Sequence, residues 1–144
     1  MEVFVHRLTL GIAAATAVVA LAFFVPDRIL GADRQVAYTA GQLAMGQADY
    51  TQYCSFCHLP TLAGNPASKP PRPPLMGPAF ASKWQGKTAA DLFNFASKNM
   101  PYGKGGTLTH DQYMAIVSYI LQHNGVDSDG KLLDDKRLPT IQLP

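Results

Sequence analysis

At 144 residues, 47% hydrophobic and with a formal net charge of +2, the chain has room for one small domain and some additional segments. So small a positive excess excludes nucleic acid as an electrostatic partner.

The first element is hydrophobic. Leu8 to Val25 are eighteen uncharged residues between His6-Arg7 and Pro26-Asp27-Arg28. As a helix this run spans roughly 27 Å, close to a hydrocarbon core of about 30 Å. The apolar stretch of a cleaved signal is shorter, about 7–15 residues. The length therefore favours a retained transmembrane helix within an N-terminal membrane anchor over residues 1–30, with a signal peptide as the alternative. Ala20-Leu21-Ala22 has the small-residue spacing of a cleavage site, but its use would leave Phe23-Phe24-Val25 at the new terminus. Arg7 lies on one side and Arg28 and Arg34 on the other, so the positive-inside rule does not set the orientation. Residues 31–38 read as a linker.

Thr39 is suited to cap a helix running from Ala40 through Leu43, Gln47, Tyr50 and Tyr53. That helix leads into Cys54-Ser55-Phe56-Cys57-His58. C-x-x-C-H is the attachment pattern for c-type haem. Two thiols three apart on a helical turn each form a thioether with one vinyl group of the macrocycle. The adjacent His58 then offers a neutral imidazole as proximal iron ligand. A zinc site needs four Cys or His ligands, and two cysteines without a tight histidine pair do not supply them. A thioredoxin-type pair expects strand–helix alternation, and none is present. One covalent haem c uses both cysteines, so no disulfide is expected. Attachment also requires reduced thiols and dedicated machinery outside the bacterial cytoplasm. The chain is thus expected to be a single-pass protein of the bacterial inner membrane, with its haem domain in the periplasm.

Residues 59–79 hold seven of the eleven prolines, including Lys69-Pro70-Pro71-Arg72-Pro73-Pro74, which favours extended chain and opposes helix. Its position between two haem-binding elements suggests a loop wrapped along one haem edge. Thr88-Ala89-Ala90-Asp91 is a capping box for a second helix, with Leu92, Phe93, Phe95 and Ala96 facing partly inward. Thr109-His110-Asp111-Gln112 is another. It opens an amphipathic helix with Tyr113, Ile116, Val117, Ile120 and Leu121 on one stripe, ended by Asn124-Gly125. Three helices and no strand pattern make the domain all-α.

The iron's sixth ligand is sought among five methionines. Met1 lies on the wrong side of the membrane, Met45 falls close before the haem motif, and Met114 is placed toward the polar side of the last helix. Met76 and Met100 remain. Met100 follows the haem motif by some forty residues and opens a turn-rich loop, Pro101-Tyr102-Gly103-Lys104-Gly105-Gly106, which favours it. His110 and His123, at a helix start and end, are explained by capping and solvation.

Residues 39–125 resemble a class I monohaem cytochrome c. The match runs through Gly46, Tyr50, the Cys54–His58 motif, Gly77-Pro78-Ala79-Phe80, Trp84 and Met100-Pro101. It continues through Gly106-Thr107-Leu108-Thr109, Tyr113 and Ile116 to Leu121, and ends at Asn124-Gly125. The stretch from Trp84 to Asn124 is similar to cytochrome domains or subunits serving periplasmic dehydrogenases. The resemblance implies the class I cytochrome c fold around a covalent haem, Met100 as axial ligand, and the first helix crossing the last with Gly46 permitting close approach. One position departs: Leu59 stands where relatives commonly carry Gly after the haem histidine.

A six-coordinate iron suits electron transfer rather than catalysis, so no catalytic residue is expected. The leading expectation is a membrane-anchored carrier of single electrons between a dehydrogenase, oxidase or respiratory complex and an acceptor. A soluble periplasmic carrier follows if the first segment is cleaved. A haem-based sensor or peroxidase follows if Met100 does not bind iron. Between Lys69 and Lys104 six basic residues (Lys69, Arg72, Lys83, Lys87, Lys98, Lys104) face one acidic residue, Asp91, which suggests steering toward an acidic partner. The mixed-charge segment 126–144 is expected to be an extended C-terminal tail able to clamp a partner subunit.

Overall fold

The computed structural model describes residues 37–144. The expected anchor (1–30) and most of the linker lie outside the described residues. Among those described, no helix is long and apolar enough to cross a membrane.

Among the described residues five α-helices follow in order: α1 (Ala40–Tyr53), α2 (Ser55–His58), α3 (Gly77–Trp84), α4 (Ala89–Asn99) and α5 (His110–His123), with a 3-10 turn at Leu138–Thr140. Among the described residues strands are absent and only two isolated bridges occur, Asn65 with Arg72 and Thr88 with Gln142. Three helices start where the sequence places them. Thr39, Thr88 and Thr109 each accept from the backbone N–H three residues on, and Gln42, Asp91 and Gln112 return a bond to the cap N–H. The expected end of α5 also holds, with Gly125 at φ +83° just past it.

Helix α3 departs from the sequence expectation. The proline-rich stretch reads as loop through Ala79, yet the helix opens at Gly77. Pro78 falls in the first turn, where its missing N–H costs no hydrogen bond.

Helix α1 crosses α5 at Gly46. A Cβ there would lie 2.0 Å from the Ala115 carbonyl oxygen and 3.1 Å from the Cβ of Tyr119. The backbones therefore meet directly, and the Tyr50 and Tyr119 rings pack beside the crossing at 5.2 Å. Gly46→Ala is expected to lower stability by about 3 kcal/mol through overpacking. Gly41→Ala on the same helix meets nothing closer than 3.8 Å, and should be neutral or gain about 0.5–1 kcal/mol of helix propensity. Urea midpoints of the two holoproteins check the contrast, and equal midpoints would contradict the tight crossing.

The α5 stripe is wider than expected. Every residue from Tyr113 to Leu121 is buried, Met114 included, so Met114 is a core residue rather than one toward a polar side. The helix has neighbours all round: α1, α4 and an internal cavity.

The tail, expected to be extended and to clamp a partner, turns through a 3-10 segment and folds onto its own domain. Val126, Leu133, Leu138, Ile141 and Leu143 are core residues. Ala89 N–H donates to the Ile141 carbonyl (2.9 Å) and Leu143 N–H to that of Lys87 (2.8 Å), so the tail covers the start of α4. Gln42 on α1 makes two hydrogen bonds to the Leu133 backbone. Ala37 and Tyr38, which the sequence places in the linker, are fully buried. Ala37 N–H donates to the Asp127 carbonyl and Tyr38 OH to that of Val126. Arg137 donates to the Ala37 carbonyl and pairs with Asp129 at 2.6 Å. The cytochrome-like domain therefore extends beyond 39–125 at both ends.

Candidate haem site

The two cysteines and the histidine reach one place because α1 passes into α2 with a single break at Cys54. Cys54 N–H still bonds the Tyr50 carbonyl (2.9 Å), and Cys57 and His58 N–H both bond the Cys54 carbonyl. One continuing turn thus sets Cys54, Cys57 and His58 on the wall of the same cavity, of about 280 Å³. Burial, reinforced by Asp49 and Cys57, pushes the Cys54 thiol up to about 12. A raised thiol pKa opposes thiolate ligation of a metal.

His58 is oriented by the proline loop. Its Nδ1 lies 2.9 Å from the Pro73 carbonyl oxygen. A carbonyl only accepts, so Nδ1 carries the proton and Nε2 keeps its lone pair for a metal. Burial holds the imidazolium below the ordinary histidine range; the Pro73 carbonyl opposes this, and Arg72 and Lys83 add to it. The lowered pKa favours the neutral ring that an iron ligand must be.

The loop delivers Pro73 because it doubles back. Asn65 and Arg72 exchange two 2.9 Å backbone hydrogen bonds, and Leu75 N–H bonds the Leu62 carbonyl at 2.8 Å. Gly64 permits this fold: at φ +73°, any Cβ would meet the Arg72 carbonyl oxygen and Pro74 nitrogen at 2.5 Å. Leu59, where relatives commonly carry Gly, adopts φ +62°, a conformation glycine takes without cost. With ψ at 153°, outside the left-handed helical well, the leucine holds this path under strain of about 1–3 kcal/mol, and the Tyr50 hydroxyl donates to the Leu59 carbonyl at 2.8 Å.

Of the four described methionines only Met100 lines the cavity. Met76 caps α3 and packs against the core, Met114 is buried in α5, and Met45 is 52% exposed. Leu92, Phe95 and Ala96 of α4 and Tyr113, Ile116 and Ile120 of α5 complete an apolar enclosure with Trp84. His110 pairs with Asp135 at 3.0 Å and His123 Nδ1 bonds the Tyr119 carbonyl; neither borders the cavity. Of the six basic residues, Arg72 and Lys83 line it. Arg72 sits over the Tyr102 ring at 4.7 Å, and the Lys83 ammonium lies 5.1 Å from the Phe95 ring. The role of Tyr113 is not legible in the sequence: its hydroxyl bonds the Met100 carbonyl, which residue pattern does not signal. Two thiols, a neutral imidazole with a free Nε2 and a thioether around one apolar cavity fit a covalently held haem.

Residues 41–120 match the family model described as cytochrome c oxidase, cbb3-type, subunit III. The chain belongs to this family of c-type cytochromes. As a member it carries covalently bound haem c, its C-x-x-C-H cysteines being Cys54 and Cys57, and is an electron-transfer protein rather than an enzyme. Among solved structures, the sulfane dehydrogenase SoxCD of Paracoccus pantotrophus is similar, at 23% identity and a TM-score of 0.54, over 78% of this chain. The similarity covers 61% of that chain, less than two thirds of its length, and shows the shared fold. No curated protein sequence gives a significant match.

Proposed function

We propose that this cytochrome passes single electrons through a haem ligated by His58 and Met100, between a periplasmic dehydrogenase or oxidase complex and its acceptor. The observation that carries the reading is the cavity bordered by His58 and, alone among the described methionines, Met100. Haem c, when bound, supplies a one-electron iron couple. The residues do the rest. Pro73 fixes the imidazole, the α4 and α5 side chains exclude water, and a second protein ligand leaves no position for substrate. The reading includes membrane attachment through residues 1–30 and a periplasmic haem domain, supported by the length of the apolar run and by the export that haem attachment requires. A one-electron slope in a redox titration, with a weak far-red sulfur-to-iron band in the oxidised spectrum, is the expected outcome. A high-spin oxidised spectrum without that band would favour the sensor or peroxidase reading. Intact mass distinguishes a retained from a cleaved N-terminal segment.

The charge layout adds a kinetic expectation. Lys87, Lys98 and Lys104 are exposed and do not line the cavity. Reversing them to Glu should slow association with an acidic redox partner by on the order of tenfold at low salt. The difference should shrink as the Debye length falls from roughly 30 Å at 0.01 M to about 8 Å at 0.15 M. Second-order rates indifferent to both salt and substitution would mean that steering does not limit transfer.

A further inference from the structure

The loop after Met100 is tied at both ends to one buried oxygen. The Tyr113 hydroxyl donates to the Met100 carbonyl at 2.5 Å and accepts from Gly106 N–H at 3.1 Å. Tyr113 is 3% exposed and lies in the first turn and a half of α5, whose start is fixed by the Thr109 capping box. Within the loop, Lys104 N–H closes a turn on the Pro101 carbonyl (2.7 Å), and Thr107 Oγ1 donates to the Lys104 carbonyl (2.8 Å). Gly105 sits against the last turn of α4 so closely that a Cβ would fall 2.1 Å from the Lys98 carbonyl oxygen. Arg72 covers the exposed Tyr102 ring at mid-loop, while the Tyr113 phenol is the group that hydrogen-bonds the loop's two ends to α5.

We infer that Tyr113 is a positioning residue for the Met100 thioether. A peptide that carries an axial side chain moves with it, because the thioether reaches the cavity only while the Met100 carbonyl is pinned. The phenol acts on the backbone, not on the sulfur, and it restrains the loop's exit at Gly106 as well as its entry. Removing the oxygen leaves two backbone groups without that partner and frees the loop to swing, while the ring, which also packs edge-on to Phe93 at 6.5 Å, stays in place. The effect is predicted on the residence of Met100 rather than on the presence of haem. This inference rests on the proposal that Met100 is the axial ligand.

The test uses the oxidised holoprotein with three variants: Tyr113→Phe, Met100→Ala and, as a control, Tyr38→Phe. Tyr38 also donates from a buried site to a backbone carbonyl, Val126 at 2.6 Å, but borders no part of the cavity. Imidazole added as exogenous ligand probes how often the sixth position opens. Tyr113→Phe should bind it at least about fivefold to tenfold faster than wild type, because both hydrogen bonds of the phenol are lost, and show a weaker far-red sulfur-to-iron band. Tyr38→Phe should lower the urea midpoint without changing the imidazole rate. A Tyr113→Phe protein with the wild-type rate and band overturns the inference, as does an equal acceleration in Tyr38→Phe, which would report general loosening. Absence of the far-red band in wild type, with no spectral change in Met100→Ala, instead removes the Met100 assignment itself.

Discussion

Replacing Cys54 and Cys57 together by Ala is expected to abolish the folded domain as well as haem retention. Without its covalent occupant the protein must either keep or collapse a cavity of about 280 Å³. At roughly 24 cal/mol per Å³ an unfilled space of that size costs about 7 kcal/mol. The whole stability of a domain this size is about 5–15 kcal/mol. Collapse is no remedy, because the walls come from separate elements, α2, α4, α5 and the proline loop. Either single variant keeps one thioether and should lose most, not all, of the holoprotein. Haem staining, intact mass and far-ultraviolet circular dichroism check the result. A haem-free double variant with wild-type helix content would show that the fold stands without its cofactor.

Met100→Ala should keep the haem and change its electronic state. On the proposed His58/Met100 ligation the thioethers and His58 remain, so the macrocycle stays attached, while the vacated sixth position admits water or added ligand. The oxidised spectrum should become high-spin, and the reduction potential should move by on the order of hundreds of millivolts, within the ~0.8 V range that axial ligands command. Met76→Ala, made at the cap of α3 and away from the cavity, should stay low-spin and lose only packing energy. The reverse pattern would transfer the ligand assignment to Met76.

The parts of this protein that are legible in the sequence are those with local chemistry. Three capping threonines, two of them opening capping boxes recognisable in the sequence, mark three helix starts to the residue, because each closes a hydrogen bond within four positions. The haem motif is equally local, since i, i+3 and i+4 share a helical face. What escapes is non-local. Helix α3 has eight residues and opens on Gly-Pro, a pair that reads as a turn until Phe80 and Trp84 are seen buried on its inner side. Burial around the whole of α5 is hidden because Met114, Ala115, Ser118 and Tyr119 break a single stripe. The tail lacks any periodicity, so its Val126, Leu133, Leu138, Ile141 and Leu143 give no sign of a shared destination. Leu59 shows a further limit: a leucine there carries no local mark of positive φ, and only the Gly64–Arg72 fold-back demands it.

The clasp that joins Ala37 and Tyr38 to residues 126–137 has a mechanical meaning. Tension arriving along the chain from upstream does not peel α1 away from its capping threonine. Among the described residues it is met first at Ala37, whose N–H and carbonyl are held by Asp127 and Arg137, and at Tyr38, whose carbonyl takes the Ser128 hydroxyl. These bonds join two segments 88 to 100 positions apart in the chain, so a pull is shared between its two ends and loads several bonds at once. The haem-bearing turn lies beyond that knot, and a tug on the leading strand leaves the iron's surroundings unstirred until the clasp has given way.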